Sequence, residues 1–139
     1  MLGGGNASRP TRAARTGGNK RCISFDGSND YIDTGLTHQT TLRSNFSVGL
    51  WIKPDDGQPS AKDYAVGGLE ASNTDALLIT IETNGKLTIN FKSNEDPLTQ
   101  RSDAAVFADG AASSWKHVLV VISDANPTTI VIYTDGAVE

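Results

Sequence analysis

From residue 22 onward, apolar residues either alternate with polar ones or gather in short β-branched runs, and both patterns predict strands. "FSVGLWIK" is the clearest case. Phe46, Val48, Leu50 and Ile52 fall on one face and Ser47, Gly49, Trp51 and Lys53 on the other, so one face must be core. Leu87, Ile89 and Phe91 alternate with Lys86, Thr88, Asn90 and Lys92, which predicts a strand with one solvated face. "WKHVLVVIS" is almost wholly apolar and predicts a central strand covered on both sides. "ALLITIET" and "TTIVIYT" read as further strands, "CISF" and "YIDT" as short ones, and "YAVGG" as a weak one. "RSDAAVFADGAASS" reads as loop with a short strand near Val106 and Phe107. No stretch places apolar residues at i, i+3, i+4 and i+7 between capping residues, so about nine strands and no helix are expected.

Turn chemistry separates these runs. Asn84-Gly85 lies between two β runs and predicts a type I′ hairpin turn, which needs positive φ at both central residues. Asp135-Gly136 predicts a second hairpin after "TTIVIYT", and Pro54, Asp55, Asp56 and Gly57 end the strand before them. Many short strands with frequent turns argue for an antiparallel sandwich or barrel.

The 139 residues fit a single domain. No run approaches the roughly 20 apolar residues of a membrane helix. One cysteine, Cys22, excludes an internal disulfide, and it is expected to be a small buried residue of the first strand. "MLGGGNASRPTRAARTGG" has no apolar segment of the kind a signal peptide needs. The sequons at Asn6 and Asn45 are therefore read as chance matches.

Charge divides the chain. Residues 1–21 hold Arg9, Arg12, Arg15, Lys20 and Arg21 and no acid, while the remainder, with the other 7 cations and all 16 acids, carries −9. Gly3, Gly4, Gly5, Pro10, Gly17 and Gly18 break regular structure, so residues 1–21 are expected to form an extended basic arm and the compact domain to start at Cys22. A basic arm on an acidic body suggests docking onto another protein or a second copy of the same chain. Nucleic acid is disfavoured because the arm has no aromatic residue for base stacking.

The order of the segments is informative. Phe25, Asp26, Gly27, Asp30 and Tyr31 come first. Phe46, Ser47, Trp51, Ile52, Lys53 and Pro54 follow. Then come Trp115, His117 and Val118, and last Tyr133, Asp135 and Gly136. This series resembles the laminin G-like branch of the concanavalin A-like lectin/glucanase superfamily. The resemblance implies an all-β fold: an antiparallel β-sandwich in concanavalin A-like jelly-roll topology. It covers the front of the family pattern. Beyond the Asp-Gly hairpin the family continues with further strands, whereas three residues follow it here. The sandwich over 22–139 is therefore expected to lack two to four C-terminal strands, through fragmentation or because another chain supplies them.

The resemblance also frames the candidate chemistry. Glucanases of the superfamily place paired carboxylates on one strand, and retaining cleavage needs them about 5–5.5 Å apart. Here Glu82 stands alone on its strand, and Asp55 and Asp56 are adjacent, so no catalytic pair is expected. His38 and His117 lack partners at metal-ligand spacing and read as structural histidines. Some laminin G-like domains hold calcium through loop oxygens, which makes Asp26, Asp30 and Asp33, with Asn29, a candidate site. The competing and favoured reading is that Asp26 and Asp30 cap turns. Trp51 and Trp115 match framework positions, with sugar stacking as the alternative. No other cofactor is expected. The resulting expectation is a non-catalytic module of a larger assembly, homo- or hetero-oligomeric, such as a phage virion decoration, head or tail-fibre protein. Its alternative is a glycan- or protein-binding adhesion domain at a cell surface or outside the cell.

Overall fold

The computed structural model describes residues 22–26, 30–35, 45–69, 76–92, 98–110, 114–123 and 128–139. They fall in two units, one within residues 1–33 and one within 34–139. The five cations of the expected arm lie outside the described residues, as does His38.

In the first unit, residues 22–26 and 30–33 form no regular structure. The strands expected at "CISF" and "YIDT" are not formed, and Ile23, Phe25, Tyr31 and Ile32 are exposed. The sequence shows the alternation a strand requires, but alternation specifies a strand only where a neighbour takes up its hydrogen bonds. Cys22 is exposed, contrary to the expectation of a buried thiol.

Among the described residues the second unit holds eight strands: β1 Phe46–Ile52, β2 Asp63–Leu69, β3 Ala76–Ile81, β4 Leu87–Lys92, β5 Leu98–Arg101, β6 Lys116–Ser123, β7 Thr129–Thr134 and β8 Ala137–Val138. They form two four-stranded antiparallel sheets, ordered β1-β6-β7-β8 and β2-β3-β4-β5. The chain leaves the first sheet after β1, builds the whole second sheet as a meander, and returns at β6. No helix occurs among the described residues.

The sheets face each other across one core. Leu77, Ile79, Ile81, Leu87, Ile89 and Phe91 of the second sheet pack with Val118, Val120, Ile122, Ile130 and Ile132 of the first. Phe46 and Phe91 meet across the interface with ring centroids 5.6 Å apart. The predicted inward face of β1 is the observed one: Phe46, Val48, Leu50 and Ile52 pack against the core. Burying an apolar side chain of this size stabilises the fold by about 1.5–3 kcal/mol, which is why a period of two sets the register.

Four local readings are corrected. β6 is central, but its outward residues are only half-buried, so it is covered on one side. Residues 106–107 are not a strand; Phe107 instead inserts into the end of the core. The fifth strand is Leu98–Arg101, too short and polar to stand out in the sequence. The turn after β3 is not type I′, because Gly85 has positive φ (75°) and Asn84 does not. Gly85 N–H donates to the Glu82 carbonyl (2.9 Å) and Glu82 N–H to the Lys86 carbonyl (2.8 Å), a three-residue loop ending in a left-handed glycine. The two consecutive positive φ values of a type I′ turn occur at Asp135 (51°) and Gly136 (88°), between β7 and β8.

Candidate functional site

Three motif segments far apart in sequence meet at one end of the first sheet. Pairing of β1 with β6 sets Trp51 opposite His117, and their rings lie 5.2 Å apart at 49°. Asp135 reaches the same place from the β7–β8 turn. Its Oδ1 accepts the His117 backbone N–H (3.0 Å), its own N–H donates to the His117 carbonyl (2.9 Å), and its Oδ2 pairs with Lys116 Nζ (2.7 Å). The Lys116 hydrogen bond, followed by that from His117, lowers the Asp135 carboxyl below its ordinary value. The constellation is a brace built on the His117 backbone, with the imidazole set against the Trp51 ring. The adjoining cavity, lined by Gln58, Val106, Phe107, Ala108, Ser114 and Lys116, offers one charged group, and that group is held by Asp135.

The surfaces suited to binding are the two outward sheet faces. On the first sheet, register aligns Gly49, Leu119, Tyr133 and Val138 in one row and Ser47, Val121 and Val131 in the next. Leu119, Val121, Val131 and Tyr133 are half-buried, and Trp51 is 65% exposed on the same side. This face is apolar.

The second sheet is different. One row runs Tyr64, Thr80, Thr88, Arg101, and the next runs Gly67, Leu78, Asn90, Thr99. Thr80 Oγ1 donates toward Glu82 Oε1 (3.2 Å) and the Thr88 carbonyl (3.3 Å), and Thr99 Oγ1 donates to Asn90 Oδ1 (2.8 Å). Tyr64 is 59% exposed. The solvated face expected for β4 is thus polar, yet Thr88 on it is buried at 2% exposure. The sequence pattern marked Thr88 as outward but gave no sign of its burial.

The predicted calcium residues are only partly brought together. Asp30 Oδ2 accepts the Asp26 N–H (3.0 Å), which is the turn-capping use of a loop aspartate. Among the described residues no three His, Cys, Asp or Glu side chains gather in a way that would hold a metal; Asn29 lies outside them. Trp51 and Trp115, expected as framework residues, are both exposed. No helix of the described residues is long and apolar enough to cross a membrane.

A family model described as laminin G, of the concanavalin A-like lectin/glucanases superfamily, matches residues 26–139. The chain belongs to this family of β-sandwich domains. No curated protein and no solved structure matches it.

Proposed function

We propose that this domain is a non-catalytic structural and binding module of a larger assembly, of the kind found in phage virion decoration, head or tail-fibre proteins. The observation that carries this reading is the charge division: five cations and no acid in residues 1–21, against a net −9 over the remainder. A second copy of the chain offers the acidic partner such an arm requires, so the assembly is homo-oligomeric with the arm as clamp. The outward apolar rows of the first sheet supply a surface that association between copies would cover. Support for a non-catalytic role comes from Glu82, which has no acidic partner two residues away on its strand and accepts a threonine hydroxyl. Assembly within a host cytoplasm and residence in a virion follow from this reading.

The experiment is deletion of residues 1–20, followed by light scattering across a salt series. The intact chain forms oligomers that dissociate as salt screens the arm, and the truncated chain is monomeric. An assembly state unchanged by the deletion rejects the arm as clamp.

A further inference from the structure

An open sheet edge is a template for another strand, and folded domains blunt their edges with bulges, charges or short strands. Among the described residues the two sheets end on four edges. β2 carries a register shift between Tyr64 and Val66 and opens on Asp63. β5 has four residues and ends on Arg101, and β8 has two. β1 has none of these devices: its seven residues, FSVGLWI, include no charge and no proline, and its register against β6 is unbroken. The core is open along the same edge. Phe46, Val48, Leu50 and Ile52 face inward but are only half-buried. Val118, Val120, Ile122 and Ile132, on strands paired on both sides, are at most 1% exposed.

We propose that β1 pairs antiparallel with β1 of a second copy, about a two-fold axis at Gly49, so that the first sheets of two copies join into one continuous sheet. The proposal rests on the reading of the chain as a homo-oligomer and assigns the strand edge through which its copies meet. Three observations favour this occupant. The first is register. The faces of a continuous sheet must match, so inward residues meet inward ones, and of the registers that do this only the one centred on Gly49 pairs all seven residues. It sets Phe46 opposite Ile52 of the second copy and Val48 opposite Leu50, which extends each half-buried row with apolar side chains. The second is charge. Residues 22–139 carry −9, so copies repel over much of the body, whereas β1 brings no charge against its equal. The third is the outward side. Ser47 comes opposite Trp51 and Gly49 opposite Gly49, so the exposed Trp51 ring lies diagonal to a glycine of the second copy, and aromatic rings cover edge glycines in this way. A single strand pair is marginal in water, so the edge and the basic arm act together.

The test uses the full chain carrying Cys22→Ser, so that an introduced thiol has no competitor. Opposed Cα atoms of an antiparallel pair lie about 4.5–5.5 Å apart, within the roughly 4.4–6.8 Å that a disulfide spans. A Cβ at Gly49 makes ordinary contacts, 3.6 Å to Leu119 Cδ1 and 3.7 Å to His117 Nε2, so Gly49→Cys is accommodated. Under mild oxidation this variant forms a covalent dimer. Gly67→Cys, on the β2 edge where a Cβ meets nothing within 4 Å, does not. Gly49→Glu and Gly49→Lys each set like charges face to face and raise the dissociation constant of the dimer about fivefold or more, and mixing the two restores the parent value. Cooperative melting of each variant separates loss of the contact from loss of fold. Crosslinking of Gly49→Cys no better than that of Gly67→Cys overturns the proposal, as does a Glu–Lys mixture no more dimeric than its components. Salt-sensitive oligomers that persist through such a failure, and that deletion of residues 1–20 removes, leave the arm as clamp standing. Crosslinking through Gly49→Cys in a chain whose oligomers ignore that deletion upholds the edge and rejects the arm.

Discussion

Asp135 grips both backbone polar groups of His117: its Oδ1 accepts the His117 N–H at 3.0 Å, and its own N–H donates to the His117 carbonyl at 2.9 Å. With Lys116 Nζ on the other carboxylate oxygen, the β7–β8 turn is tied to the first residues of β6. The folded state lowers the Asp135 pKa, chiefly through Lys116 and then His117. Because the folded value is the lower one, the ionised carboxylate stabilises the fold above the unfolded value, about 3.9, and that contribution is lost as pH falls through the folded value. Asp135→Asn should therefore melt lower than the parent at neutral pH, and the two should converge in acid. Asparagine tolerates the positive φ of 51°, so the substitution isolates the charge; Asp135→Ala adds backbone strain and melts lower still. The group is exposed, so salt narrows the difference.

The loops after β1, β3 and β5 knot together through glycine backbone. Gly85 carries φ 75°, its carbonyl accepts the Val106 and Phe107 N–H groups (2.8 and 3.1 Å), and a Cβ there would lie 2.2 Å from the Phe107 carbonyl oxygen. At Gly57 a Cβ would lie 1.9 Å from the Ala108 carbonyl oxygen, and Asp56 Oδ1 accepts the Gln58 and Gly110 N–H groups beside it. Either glycine replaced by alanine forces backbone to move. Gly85→Ala should cost roughly 1–3 kcal/mol from the left-handed conformation alone, and more from the contact. Urea denaturation should show a lower midpoint at unchanged slope for both variants.

How much of this was legible in the sequence depended on range. The strands Phe46–Ile52 and Leu87–Lys92 were readable because one residue in two was apolar and the other polar, and that pattern is local. The motif residues Trp51, His117 and Asp135 were readable as a set but not as a brace, since the contacts join β1, β6 and the β7–β8 turn. "CISF" and "YIDT" have strand-like composition without a pairing partner among the described residues, a condition that composition does not carry. Tyr64 reaches the outer face through a bulge, and no residue type in "DYAVGGL" announces where the extra residue falls.

Phe107 shows the same limit and yields a sharp test. Its segment looks like a weak strand, but the ring is 2% exposed in the core and its N–H is held by the Gly85 carbonyl. Phe107→Ala should cost about 3–5 kcal/mol, as deletion of a buried aromatic ring generally does. Phe107→Leu, which keeps most of the volume, should cost distinctly less in the same urea titration. Equal stability of both variants and the parent would mean the ring is not packed.

Metal removal separates the two readings of the first loop. Asp30 caps the Asp26 N–H, and among the described residues no three His, Cys, Asp or Glu side chains gather in a way that would hold a metal. A chelator should therefore leave the melting temperature unchanged, and added calcium should not raise it. A rise that saturates with calcium and disappears in Asp30→Asn would restore the metal site, because a ligand bound only to the folded state stabilises it by mass action.

Cys22 supplies the last test, and it bears on the first unit alone. The thiol is exposed, and so are Ile23 and Phe25 beside it. Reaction with a disulfide reagent needs the thiolate and access to it, and burial in a strand would allow reaction only through opening of the fold. An exposed thiol instead reacts in the native state, without opening of the fold, with a stoichiometry of one per chain. The rate should be unaffected by sub-denaturing urea. Protection that lifts only at urea concentrations where the protein unfolds would mean that residues 22–26 form the buried strand their composition suggests.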